Sequence, residues 1–193
     1  MLEEIPALPP VHFFSFSCDL SYGKTLFPLK TYLLPDTTKI LREESLATIA
    51  MAWNEEGLLF QVRIKGEYSD EDQIELFLDT RDLKEAGYLT KFCHHFIIAG
   101  EEGKEVTKLR IDESRPLSEN ISVELTKEKN RYEWQIAIPS QNLYGFEPSL
   151  CDRLGFTYRV HRLNGEMQHF VADSPFYAIE EHPSLWASLK LLR

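Results

Sequence analysis

Apolar and polar residues fall into a regular rhythm from Ala47 onward, in short alternating runs separated by Gly, Asn and Pro turn signals. The clearest run is Gln73–Asp79, where Ile74, Leu76 and Leu78 alternate with Gln73, Glu75, Phe77 and Asp79. Successive strand side chains point to opposite faces, so the three aliphatic residues share one face; a helix would scatter them. The same period predicts strands over Ala47–Trp53 and Leu58–Lys65, joined as a hairpin by the turn Asn54-Glu-Glu-Gly57. Further strands are expected over Phe92–Ala99, Glu105–Ile111, Ile121–Lys127, Arg131–Ile138, Leu154–Arg162, Met167–Val171 and Leu185–Leu191.

Before Ala47 the pattern is weaker. Residues 1–10 read as an extended, Pro-rich lead-in, and Val11–Ser17 as a first strand. A loop-rich passage follows, with turn signals at Ser21-Tyr-Gly23, Phe27-Pro28 and Leu34-Pro-Asp36. Asp36 is placed to cap a short helix ending at Arg42. Two more short helices are expected, at Leu83–Ala86 between a cap at Asp82 and a stop at Gly87, and at Pro139–Leu143 before Gly145. About ten closely spaced strands leave no room for helical crossovers, which disfavours a parallel sheet. The expected fold is an all-β, antiparallel sandwich of jelly-roll type, formed by one domain over residues 1–193.

Composition narrows the function classes. With 43% hydrophobic and 12% aromatic residues, 193 residues can bury a full core. A formal charge of −10, with no basic block, argues against nucleic-acid binding. Cys18, Cys93 and Cys151 form no metal-type pair and fit a reducing compartment. The acidic, Pro-containing start lacks the positively charged and apolar regions of a signal peptide, and no apolar run is long enough to span a bilayer. Cytoplasmic residence, with no membrane partner, is the resulting expectation.

Several segments in order carry a resemblance: Ala52-Trp53-Asn-Glu-Glu-Gly57-Leu58, Asp72-Gln-Ile-Glu75-Leu-Phe-Leu-Asp79, His95-Phe96, Tyr132-Glu-Trp134-Gln-Ile-Ala-Ile-Pro139, Leu154-Gly155-Phe156-Thr-Tyr-Arg159 and Pro183-Ser-Leu-Trp186-Ala-Ser-Leu. Together they resemble family 9 carbohydrate-binding modules and the related sugar- and haem-binding DOMON-like sandwiches. The likeness covers residues 47–193, and residues 1–46 match it least. It implies a sandwich with a ligand groove and, in the sugar-binding members, two tryptophans that clamp a terminal sugar. Trp53 and Trp186 stand where such a pair would be expected.

Sugar recognition needs an aromatic face against C–H groups and a few planar polar side chains for hydroxyls. The candidates are Trp53, Arg63, Glu75, His95, Arg159, Gln168 and Trp186. Arg63, Glu75 and Arg159 occupy polar positions of alternating strands, so neighbouring strands would bring them to one concave face. The competing reading is a solvated face with ordinary cross-strand ion pairs. Trp134, flanked at i±2 by Tyr132 and Ile136, is assigned to the core.

Metal and catalytic chemistry are weaker. His94 and His95 are adjacent and diverge on a strand; a three-imidazole centre would need one of them to meet His161 and His169. A haem- or metal-associated alternative would need Met167 to converge with a histidine. Asp79-Thr-Arg-Asp82 offers two carboxylates for calcium, although Arg81 between them opposes it and a helix cap is favoured. Glu75 and Asp79 share a strand face about 13 Å apart, too far for the ~5–9.5 Å of glycosidic acid–base pairs. Cys93 and His94 diverge too, and neither a phosphate loop nor a nucleophile elbow is present.

The expectation is therefore a non-enzymatic module that binds a small carbohydrate or similar polar ligand, without catalytic residues, metal or cofactor. The alternative is a protein-interaction or structural sandwich that lacks the sugar site.

Overall fold

The computed structural model describes residues 16–26, 28–106, 121–171 and 178–193. Two β-sheets face each other. Strands β1 (Ser17–Ser21), β4 (Gln73–Asp79), β5 (Cys93–Ala99), β6 (Glu102–Glu105), β9 (Arg153–His161), β10 (Met167–His169) and β11 (Ala187–Leu192) form a seven-stranded sheet. Its order is β1-β11-β9-β4-β5-β6, with β10 also on β9. Strands β2 (Ala47–Asn54), β3 (Gly57–Lys65), β7 (Ser122–Glu128) and β8 (Arg131–Pro139) form the second sheet, in the order β2-β3-β8-β7. Among the described residues helix content is slight: α1 (Thr38–Leu41) and four short 3-10 turns.

The alternating residues build the core as their period requires. Ile74, Leu76 and Leu78 of the seven-stranded sheet are fully buried, as are Phe60 and Val62 of the four-stranded one. Phe60 and Phe156, from opposite sheets, stack at 6.0 Å. Trp134 is buried as expected, and its Nε1 donates to the Gly100 carbonyl at 2.8 Å. A second bond between the sheets joins the Tyr132 hydroxyl to Asp72 at 2.7 Å. Burial followed by this bond raises the Tyr132 phenol. Asp72 also accepts from Ser69 N, Arg162 Nε and Leu163 N, so its buried charge is fully bonded.

The all-β sandwich agrees with the sequence reading, with local corrections. The β1/β11 pair is parallel, whereas every other strand pair among the described residues is antiparallel. Parallel pairing is possible because these strands lie at opposite ends of the chain, so no short connection constrains them. The described first strand is Ser17–Ser21, running into the expected turn; expected strand positions 11–15 and the lead-in lie outside the described residues. Of the strand expected at Glu105–Ile111, Glu105 ends β6 (Glu102–Glu105), and positions 107–111 lie outside the described residues.

The hairpin between β2 and β3 turns at Asn54–Gly57 as expected. Gly57 has φ 141°, and a Cβ there would lie 2.1 Å from the Ile138 carbonyl oxygen, so only glycine is accommodated. Asp36 bonds Thr38 N and Oγ1 at 3.0 and 2.6 Å at the start of α1. Asp82 does not cap the turn at Lys84–Ala86. No side chain caps that turn; Asp79 binds the loop before it, accepting from Arg81 N at 3.0 Å and Leu83 N at 2.6 Å. Asp82 instead has φ 48° and accepts from the Ser188 hydroxyl at 2.6 Å. No helix among the described residues is long and apolar enough to cross a membrane.

Candidate functional site

Because Ile74, Leu76 and Leu78 face the core, Glu75, Phe77 and Asp79 point outward from the seven-stranded sheet. That outer face is not bare. Phe77 is fully buried there, stacked on His95 at 4.3 Å and packed against Trp186 at 5.9 Å. The cover comes from the segment between β4 and β5 and from residues 178–186. Trp186 Nε1 donates to the Ile179 carbonyl at 2.8 Å, and Lys84 Nζ to the Trp186 carbonyl at 2.5 Å. Burial lowers the Lys84 amine, against the opposing charge of Asp82.

Between this cover and the sheet lies a cavity of about 670 Å³. Its polar part centres on Glu75, 5% exposed. Strand register sets Arg159 of β9 directly opposite Glu75. The guanidinium forks onto the carboxylate, Nε to Oε1 at 2.9 Å and Nη2 to Oε2 at 3.1 Å. His95 Nε2 lies 2.7 Å from Oε2, and His161 Nε2 lies 2.5 Å from Oε1. Burial by itself would raise the Glu75 carboxyl. The His161 and His95 bonds and the Arg159 charge outweigh it and hold the group far below the ordinary carboxylate range. Arg159 also faces Glu180 at 3.5 Å and lies over the Phe77 ring. Around this network the walls are Leu89, Ile97, Val106 and two aromatic residues, buried Trp186 and exposed Tyr88.

Four of the seven candidate residues, Glu75, His95, Arg159 and Trp186, therefore line one cavity. The other three lie elsewhere. Trp53 is 2% exposed in the core, its Nε1 donating to the Leu20 and Leu192 carbonyls. Arg63 belongs to the other sheet and pairs with Glu133 at 2.5 Å. Gln168 is buried; it accepts from Leu46 N and Ala47 N and donates to the Ala47 carbonyl and the Tyr158 hydroxyl, tying β10 to the start of β2.

Sequence reasoning missed His161 as a Glu75 partner, and it missed Tyr88, Glu180 and His182 in the walls. Tyr88 had a faint signal, as an aromatic residue beside Gly87 in an otherwise turn-like segment. The histidines disperse: His94 bonds Glu105 at 2.8 Å on the core side, and His169 bonds Glu43 at 2.6 Å. Among the described residues no group of three or more His, Cys, Asp or Glu is placed to hold a metal ion. Met167 is largely exposed, at the end of the hairpin that carries His161. Both Asp79 oxygens already accept backbone N–H bonds, which removes one of the two carboxylates a calcium loop would need.

The architecture places the chain among two-sheet β-sandwiches with a covered cavity on one outer face. No protein-family model and no curated protein matches the chain. Among solved structures it is similar to a Bacteroides uniformis chain described as "a putative carbohydrate-binding protein". The TM-score is 0.57 at 9% identity, over 92% of this chain and 99% of that one, a likeness of fold.

Proposed function

We propose that this protein is a non-catalytic module that binds a small sugar, or a similar polar ligand, in the cavity between β4, β5, β9 and residues 178–186. The observation that carries the reading is the cavity itself. Its volume of about 670 Å³ lies within the ~300–1,000 Å³ of small-molecule sites. It combines apolar and aromatic walls with an oriented polar cluster, the arrangement needed to hold a sugar ring by its C–H face and its hydroxyls. Arg159 and His95 are held by Glu75, so the polar groups need little reordering when a ligand arrives. A carboxylate bonded by three side chains and held ionised suits positioning better than proton transfer, which favours binding over catalysis. The fold likeness to the Bacteroides uniformis chain points the same way.

Ligand-dependent thermal melting across mono- and oligosaccharides tests this. A ligand that binds the folded chain raises the melting temperature, by an amount that grows with the logarithm of its concentration over Kd. Tyr88→Ala, at an exposed wall residue, should shrink that rise at a given sugar concentration without changing the melting temperature of the free protein. Silence across the sugar panel and a glycan array would replace this reading with the interaction-module alternative.

A further inference from the structure

The cavity's polar and aliphatic walls come from different elements. At one register level stand Arg159 on β9, Glu75 on β4 and Ile97 on β5, so charge gives way to hydrocarbon between β4 and β5. Val106 N donates to the His95 carbonyl at 2.7 Å, which carries the β5/β6 pairing one residue past Glu105 and sets Val106 diagonally beside Ile97. Leu89, from the segment between β4 and β5, adds a third aliphatic side chain to the lining. Ile97 and Val106 are half-buried, stand outside the core between the sheets, and border the cavity. The imidazoles belong to the polar groups: His95 bonds Glu75, His94 bonds Glu105, and His182 comes from the cover with Glu180 and Glu181. Lys104, opposite Ile97 on β6, is exposed and does not line the cavity.

We infer that the ligand is amphipathic: a glycoside whose sugar ring meets the Glu75–Arg159–His95 cluster and whose apolar aglycone lies against Leu89, Ile97 and Val106. A bare sugar would turn hydroxyls toward these aliphatic groups, where they lose water and find no side-chain donor or acceptor. An alkyl or aryl group instead removes the same surface from water, with a gain that grows with the area buried. The volume of about 670 Å³ is more than one sugar ring fills, so both parts are accommodated together. The inference rests on the reading of the cavity as a sugar site.

The test is calorimetry on the methyl, hexyl and phenyl glycosides of glucose, galactose, mannose and xylose, in both anomeric forms, with hexanol alone as a control. For each sugar that binds, the hexyl or phenyl glycoside should bind on the order of tenfold tighter than the methyl one, the gain from burying about two methylene groups. Its heat-capacity change on binding should also be more negative. Val106→Thr keeps the side-chain volume but adds a hydroxyl, and should shrink the hexyl gain while leaving the methyl glycoside's affinity unchanged; Ile97→Thr should do the same. Equal affinity for methyl and substituted glycosides overturns the amphipathic ligand and leaves the sugar site standing. A hexyl gain untouched by both variants overturns the assignment of the aglycone to this wall. Hexanol binding as tightly as the hexyl glycoside, or silence toward every glycoside, overturns both readings.

Discussion

Each sheet carries a cross-strand arginine–glutamate pair on its outer face. Arg63 stands directly opposite Glu133 on β3 and β8, and Glu75 directly opposite Arg159 on β4 and β9. The covalent chemistry and the register relationship are the same. The surroundings differ: the Arg63 and Glu133 side chains are 46% and 19% exposed, those of Arg159 and Glu75 19% and 6%. On the four-stranded sheet the neighbours of the pair are glutamines, Gln61 donating to Glu133 and Gln135 doing so at 3.3 Å. On the seven-stranded sheet two imidazoles, an aromatic floor and a cover of two segments surround it. An exposed pair gains little from Coulomb attraction in water, whereas a covered one is oriented, desolvated and adjacent to space a ligand can fill. The cover, and not the residue pair, distinguishes a candidate site from ordinary surface.

The comparison breaks most sharply if the covered pair is cut. Glu75→Ala leaves Arg159 half-buried beside two imidazoles without their shared acceptor and should cost about 3–5 kcal/mol in chemical denaturation. A loss below about 1 kcal/mol would show the two pairs to be equivalent.

Acid titration sharpens the same point. Because Glu75's carboxyl lies below its ordinary range in the folded chain, its stabilisation is fully present above that range. It declines as the pH falls below about 4.5 toward the depressed folded value, since the unfolded chain takes up the proton first. Urea midpoints measured down a pH series should fall through that window, and Glu75→Gln should flatten the slope. An unchanged slope in the variant would remove Glu75 as the source.

Tyr88→Ala addresses the cover's role in binding. It should weaken sugar binding by about 1–2 kcal/mol, read by calorimetry, with stability within about 0.5 kcal/mol of the parent. The smallest effect belongs to the exposed pair. Arg63→Ala should change stability by less than about 1 kcal/mol and leave any ligand response intact. Loss of the sugar response in that variant would place the site on the wrong sheet.

Much of the scaffold was legible because strand alternation is a local property. Gln73–Asp79 coincides with β4 at both ends, and the hairpin at Asn54–Gly57 forms where its turn residues stand. The divergence of His94 and His95 also follows from adjacency: one bonds Glu105, the other Glu75. Phe77 was less legible. It shares the polar side of the alternation with Glu75 and Asp79, yet it is fully buried because distant segments close over it. The two tryptophans show the same limit. Both are buried and both donate to backbone carbonyls, but Trp53 does so within the core and Trp186 beside the cavity.

The sequence by itself determined which residues form strands, which face of each strand is apolar, and that Glu75 points away from the core. Those properties depend on neighbours two residues away, so they can be read along the chain. Only the tertiary structure decided that Arg159 rather than Arg63 meets Glu75, that His161 joins them, and that residues 178–186 roof the result. Strand order joins residues that lie far apart in sequence, 84 positions in the case of Glu75 and Arg159. A polar residue on an alternating strand has the same local pattern whether water or a covered cavity lies beyond it.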